Sequence, residues 1–326
     1  MSGLLTSTRL AALRKCPRLH YWRFELGLSR IRRATPLRLG GAFHYGLELF
    51  NGGASADEAI AEATAHYAVC PDWADPTDWA VEYETLKALL SGHFWRYQQD
   101  NLEFVAVEQS FEIPLINPDT SAASRTFRLA GKMDGIVRLA DGRLAVLEYK
   151  TAGEDISPDA DYWLRLRCDG QISLYVLAAR ALGYDVATVL YDVTRKPTIR
   201  LRKAETPEQY GKRLLKDIGD RPDYYFQRRE VPRLEDELAE CRAELWQQAQ
   251  LILETRRRAA RLPDPSRAWF RNVGRMTCGF CEFSALCLGA VRVDPANPPS
   301  GYQILADPHP ELLAASAVEP ANEETD

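Results

Sequence analysis

The chain has 326 residues, 46% hydrophobic and 27% charged, enough for one large core or two moderate ones and ordinary enough to be globular. No apolar run approaches the roughly 20 residues of a membrane span. The first residues are charged too early for a secretory signal, so the expected setting is cytoplasmic and free of membrane. A net charge of −5 argues neither for nor against nucleic acid, so the placement of the charges has to decide.

That placement is uneven. Residues 1–40 hold nine basic side chains (Arg9, Arg14, Lys15, Arg18, Arg23, Arg30, Arg32, Arg33, Arg38) against Glu25 alone. They are interleaved with His20, Tyr21, Trp22 and Phe24, a mixture suited to phosphate contact and base stacking.

In chain order, Ser7 or Thr8 can cap a short helix with Leu10 and Leu13 inward, ended by Cys16-Pro17. Thr35-Pro36 opens a second helix that runs to Gly52-Gly53 and carries His44 among Gly40, Gly41 and Gly46. Residues 57–69 and 78–100 read as helices, the latter with an apolar stripe of Trp79, Tyr83, Leu86, Leu90, Phe94 and Tyr97. The period then changes. "LEFVAVEQSFEIPL" and "RTFRLAGKMDGIVRLA" read as strands, and "DGRLAVLEYK" as the Asp141-Gly142 turn followed by a third. "YWLRLRCDGQISLYVLAARALGY" reads as one helix, "DVATVLYDVT" as a strand, and "TPEQYGKRLLKDIG" and "RLEDELAECRAELWQQAQLILETRRRAARL" as helices. The expected fold is a mixed α/β core over about 103–195, with helical segments at 1–100 and 196–290 making one domain over 1–290. Residues 291–326 are rich in Pro and Ala and carry seven acids against Arg292, which predicts a disordered acidic tail.

Three features carry chemistry. Alternation along 144–150 puts Leu144, Val146, Glu148 and Lys150 on one face, apolar twice and then charged twice. The Asp141-Gly142 hairpin folds Asp134 back beside Glu148, and two carboxylates so placed repel unless a divalent cation sits between them, with Mg²⁺ or Mn²⁺ the natural occupant. An acid-x-Lys triplet occurs about once by chance in such a composition. Its company counts for more: Gly131-x-x-Asp134 before it, and Gln171-x-x-x-Tyr175 after it on one helix face. The third feature is C-x2-C-x5-C at Cys278, Cys281 and Cys287, with Cys16 separated from it by 261 residues. Four thiolates suit structural zinc or an iron–sulfur cluster, and a reducing compartment argues against disulfides.

The ordered set "LRKCPRLHYW", "LGGAFHYGLE", "GKMDGI", "AVLEYKT", "QISLY" and "CGFCEFSALC", spanning residues 13 to 287, resembles the PD-(D/E)xK nuclease superfamily, in particular its RecB-like branch with the CRISPR-associated exonucleases. The resemblance implies a restriction-endonuclease-like core with helical additions stapled by a metal cluster. It implies Asp134 and Glu148 as Mg²⁺ or Mn²⁺ ligands, with His44 and the Tyr149 carbonyl beside them and Lys150 on the attacking water. It implies Gln171 and Tyr175 as supports that touch the DNA backbone. It implies a four-iron four-sulfur cluster on Cys16, Cys278, Cys281 and Cys287, for which zinc is the alternative, and Arg14 and Arg18 would lie on a DNA-facing surface next to it.

"TRKPTIR" at 194–200 and Arg256-Arg257-Arg258 add phosphate-contact candidates, while nothing resembles a base-edge reader or a Walker phosphate loop. The expected activity is a metal-dependent deoxyribonuclease, an exonuclease on single-stranded or frayed DNA ends in repair, recombination, phage DNA processing or CRISPR adaptation. A helicase, recombination protein or CRISPR adaptation protein is the expected partner. The competing expectation is a non-catalytic iron–sulfur DNA-binding subunit of a larger complex.

Overall fold

The computed structural model describes residues 3–32, 35–100 and 102–312. Among these, eight strands form: β1 (Leu4–Leu5), β2 (Leu28–Arg30), β3 (Glu103–Ile116), β4 (Ala123–Arg138), β5 (Leu144–Ala152), β6 (Val186–Arg195), β7 (Phe226–Pro232) and β8 (Tyr302–Ile304). The chain divides into two compact units, neither continuous in sequence. One holds 34–109 and 133–233, the other 1–33, 110–132 and 234–326, and the chain passes from one to the other within β3 and within β4.

The unit of 34–109 and 133–233 contains the mixed sheet. β4 and β5 are antiparallel in the register Gly135↔Leu147 to Arg138↔Leu144. Gly142 makes the turn at φ 87°, where a Cβ would be strained. β5 and β6 are parallel, and β6 and β7 antiparallel. An inner strand buries both faces, which is why "LAVLEY" is apolar almost without break. Ala145, Leu147, Tyr149 and Leu190 pack on the helices Thr35–Asn51 and Pro76–Arg96. In Thr35–Asn51 the buried positions Leu39, Ala42, Phe43, Gly46 and Leu47 form one helical stripe. A Cβ at Gly46 would lie 2.8 Å from both Leu90 methyls, so this glycine sets how closely the two helices approach.

The single helix predicted from Tyr162 onward is broken. Asp169 takes extended geometry, accepts from Gln171 N and Ile172 N, and starts the helix Gly170–Ala181 afresh. The charged segment "FQRREVP" gives no strand signal, yet forms β7, because Arg228 reaches into the sheet's interior. Its guanidinium binds Asp192 Oδ2 from Nε (2.9 Å) and Nη2 (2.6 Å) and also pairs with Asp100. His93 Nε2 meets the same Asp192 oxygen at 3.2 Å, and Asp192 is fully buried.

The other unit is organised around a buried charge cluster. Arg9, wholly buried, donates to Glu25 Oε1 (2.7 Å), to the Leu4 carbonyl (2.7 Å) and to His20 Nε2 (3.2 Å). Arg256 grips both Glu25 oxygens from the helix Glu235–Ala259, at 2.7 and 2.9 Å. Burial, then the neighbouring Arg9 and Arg256 charges, push the His20 pKa well down, so the ring is a neutral acceptor. Of the basic and aromatic run, Arg9, His20, Trp22 and Phe24 are buried, whereas Arg14, Arg30 and Arg32 are exposed and Lys15, Arg18, Arg23 and Arg38 half-buried; Arg33 lies outside the described residues. Thr6, one residue before the expected cap, accepts from Arg9 N at 3.2 Å.

The stretch predicted as a disordered tail from residue 291 contains β8. Tyr302–Ile304 pairs with Leu28–Arg30, and the Tyr302 ring stacks on Phe283 at 5.9 Å, so two apolar side chains among the prolines hold this stretch in place. Residues 313–326 lie outside the described residues.

Removing one member of a buried ion cluster leaves the rest unpaired, which costs about 3–5 kcal/mol. Glu25→Ala, which strands Arg9 and Arg256, is expected to lower the urea unfolding free energy by about that amount. Lys216→Ala, at an exposed pair with Asp220, is expected to change it by less than about 1 kcal/mol.

Candidate active site

The β4–β5 hairpin brings Asp134 and Glu148 together as the spacing predicts. Asp134 Oδ2 accepts from Tyr149 N–H at 2.7 Å, which fixes its carboxylate against β5. Its other oxygen faces His44 Nδ1 at 3.5 Å, delivered by the helix Thr35–Asn51. The Glu148 side chain is 3% exposed, whereas Lys150 and His44 are about a third exposed. The site is thus a carboxylate floor with cationic groups at its mouth.

Lys150 Nζ donates to Glu148 Oε1 and, at 3.1 Å, to Gln171 Oε1. Gln171 Nε2 returns a hydrogen bond to Glu148 Oε1 at 3.1 Å and a second to the Tyr175 hydroxyl at 2.9 Å. The i, i+4 pair on Gly170–Ala181 therefore clamps the strand's acid and base, and Asp169 sets where the clamp begins. Tyr149 points to the opposite face, where its hydroxyl accepts from Asn51 Nδ2 at 3.0 Å and its ring stands edge-on to His93.

The electrostatics follow from burial and spacing. Burial, and then the Asp134 charge, raise the Glu148 carboxyl above the usual carboxylate range against the pull of Lys150. Burial also opposes ionisation of Asp134, but His44, Lys150 and the Tyr149 N–H outweigh it and hold this group below its ordinary value. Burial opposes the charged forms of Lys150 and His44, and the carboxylates overcome it, raising both. The two acids are driven apart, Asp134 below its ordinary value and Glu148 above it.

Among the described residues no group of three or more His, Cys, Asp or Glu side chains is arranged to hold a metal ion. Asp134 and Glu148 could supply carboxylate oxygens to a divalent cation, but Glu148 is turned toward Lys150 and Gln171, and His44 is paired to Asp134. The four cysteines come together from the two ends of the chain. Cys16, Cys278, Cys281 and Cys287 line one cavity with Lys15, Arg18 and Trp22, and Asn272 N–H donates to Cys16 Sγ at 3.4 Å.

The other basic candidates make protein contacts. Arg14 donates to Gln248 Oε1 (3.0 Å), and Arg18 donates to the Trp269 carbonyl (3.1 Å) and lies over Trp22. Arg256 belongs to the Glu25 cluster and Arg258, exposed, donates to the Ala268 carbonyl. Sequence reasoning missed Asp192, His93 and Arg228. A lone acid within "VATVLYDVT" was the one available signal, since an unpaired charge does not belong in an inner strand.

A profile of the PD-(D/E)XK nuclease superfamily matches residues 5–288. The chain belongs to this superfamily. That membership agrees with the mixed sheet flanked by helices, makes DNA the substrate that the superfamily implies, and brings with it the use of divalent metals such as Mg²⁺ or Mn²⁺. Among solved structures the chain is similar to one described as "Crystal structure of SSO0001", at 14% identity and a TM-score of 0.36, with 90% of this chain and 89% of that one covered. No curated protein matches. No helix among the described residues is long and apolar enough to cross a membrane.

Because the Lys150 charge is what draws the Glu148 carboxyl down, Lys150→Met is expected to raise the Glu148 titration midpoint further. Carboxyl ¹³C NMR across pH 4–9, with Glu148→Gln to assign the signal, measures it, and a midpoint that falls or stays put contradicts this electrostatic picture.

Proposed function

We propose that this superfamily member is a divalent-metal-dependent deoxyribonuclease of the RecB-like branch, acting as an exonuclease on single-stranded or frayed DNA ends. The observation that carries the reading is the joining of Asp134, Glu148, Lys150 and Gln171 in one hydrogen-bonded set on two adjacent strands and a helix.

The donor set fits a hard cation: two carboxylates, one of them buried and raised above the usual carboxylate range. Asp134 and Glu148 would hold Mg²⁺ or Mn²⁺, with the Tyr149 carbonyl and His44 beside them. Such an ion supplies Lewis-acid polarisation of the phosphate and acidifies water. Glu148 would turn from Lys150 toward the ion, leaving the Lys150 ammonium to face the scissile phosphate. Lys150 then orients the attacking water and offsets the charge that grows on the phosphoryl oxygens, where a preplaced cation needs no reorganisation. Gln171, held by Tyr175, would position the Lys150 ammonium and the Glu148 carboxyl from one side.

Cys16, Cys278, Cys281 and Cys287, which line one cavity, would be the ligands of a four-thiolate group, and Lys15 and Arg18 at its wall would offset the charge of the bound cluster. A four-iron four-sulfur cluster there would join residue 16 to residues 278–287, closing a very long loop and acting on stability more than on chemistry. Pathway assignments follow from the branch: repair, recombination, phage DNA processing or CRISPR adaptation, with a helicase or adaptation protein as partner.

Lys150→Ala and Asp134→Ala are expected to lower Mn²⁺-dependent shortening of end-labelled single-stranded DNA by at least about 100-fold with unchanged circular dichroism. Full cleavage by either purified variant removes the site assignment. The wild-type protein leaving the DNA intact with Mn²⁺ present favours a non-catalytic DNA-binding subunit.

Anaerobically purified protein is expected to absorb broadly near about 400 nm. Cys281→Ser should lose that band and lower the melting temperature together, and colourless, zinc-loaded protein replaces the iron–sulfur assignment with a zinc one.

A further inference from the structure

The register of the sheet extends the active-site face sideways. Glu148 on β5 pairs with Tyr191 on β6, and Tyr191 pairs with Arg229 on β7, so the three side chains stand in one row on one face. With strands about 5 Å apart, Arg229 lies about 10 Å from the carboxylate along the row. Above it sits the short helix Asp161–Arg165, whose Tyr162 and Trp163 rings are 5.3 Å apart and each 6.4 Å from the Tyr191 ring. The Arg229 guanidinium covers the Trp163 ring at 4.6 Å.

The layers differ in exposure in an informative way. Tyr191 is 3% exposed and is the foundation, while Tyr162, Trp163 and Arg229 are half-buried. Trp163 is held rigidly, its indole N–H shared between the Ile156 and Ser157 carbonyls at 3.0 and 3.1 Å. Tyr162 lies within electrostatic reach of Lys150: burial pushes its hydroxyl up, against a hydrogen bond with Tyr191 and the Lys150 charge. A half-buried Tyr162 set edge-on to the fixed Trp163, with 79° between the ring planes, in reach of Lys150 and beside Arg229, matches what a nucleotide adjoining the cut needs: an aromatic wall for the base and a cation for the next phosphate.

We infer that Tyr162 and Trp163 form a stacking subsite for the nucleobase beside the scissile phosphate, with Arg229 on the following phosphate, which makes an unpaired strand the preferred substrate. The inference rests on the nuclease reading for its orientation, and names the substrate feature that site selects. A base in a duplex is already stacked and paired, so it gains nothing here unless it is first unpaired.

Two measurements test it, the first of which needs no cleavage. Single-stranded oligonucleotides carrying one 5-iododeoxyuridine, scanned along the strand, are irradiated with the protein in EDTA and the adducts mapped by mass spectrometry. Adducts on Tyr162 or Trp163 from one or two adjacent positions are expected, and adducts that spare 161–165 at every position overturn the subsite even if the protein proves to be a nuclease. In the second, an abasic nucleotide is scanned along a cleaved strand with Mn²⁺. The base beside the cut is expected to be worth about tenfold in KM, with kcat little changed, and Tyr162→Leu should lose that tenfold on intact DNA and be indifferent to the abasic site. Equal KM at every abasic position, with the unaltered protein, overturns the inference without any variant having to fold.

Discussion

Two carboxylates on neighbouring strands, one of them buried, are unstable neighbours, and the site is arranged around that repulsion. The Tyr149 N–H and His44 take up the Asp134 charge, and Lys150 takes up that of Glu148. Gln171 is the piece that lets both be satisfied at once, because an amide can donate to the carboxylate and accept from the ammonium simultaneously. A glutamate there would add a third negative charge, and a lysine a competing cation.

The same strand is supported from behind by a second set of buried charges. Asp192, opposite Tyr149 in the register, gathers Arg228 and His93, and Arg228 lies 3.8 Å from the centre of the Tyr97 ring. Burial opposes the charge on Asp192, but His93 and Arg228 prevail and hold its carboxyl below the ordinary range, so it stays an anion in the interior. Each face of the sheet thus carries one charged cluster at the same level of β5 and β6, separated only by the backbone.

What the sequence discloses depends on how far apart in the chain the partners are. Asp134, Glu148 and Lys150 are legible because a two-residue alternation and one tight turn relate them. Gln171 and Tyr175 are legible because one helical turn does. His93, Asp192 and Arg228 come from three separate elements, and Tyr191, Tyr162 and Arg229 meet through the antiparallel β6–β7 pairing and a short helix, so no local period announces either set. Within the N-terminal run Arg9 misleads for another reason: an arginine beside aromatics reads alike whether it faces DNA or, as Arg9 does, a buried glutamate. Physical chemistry separates those cases only through the partner, and Glu25 owes its significance to Arg256, more than two hundred residues away.

β5 is paired on both sides, antiparallel to β4 and parallel to β6. An inner strand cannot shift by a fraction of its repeat. A slip of one residue would turn Glu148 and Lys150 into the helices packed against Leu147 and Tyr149, and a slip of two would remove Glu148 from Asp134 and from the Gln171 clamp. Assembly of the acid pair, the lysine and the row ending at Arg229 is consequently a single digital event, settled when β5 takes its place between its neighbours, and graded change is left to the helices that bring His44 and Gln171 to it.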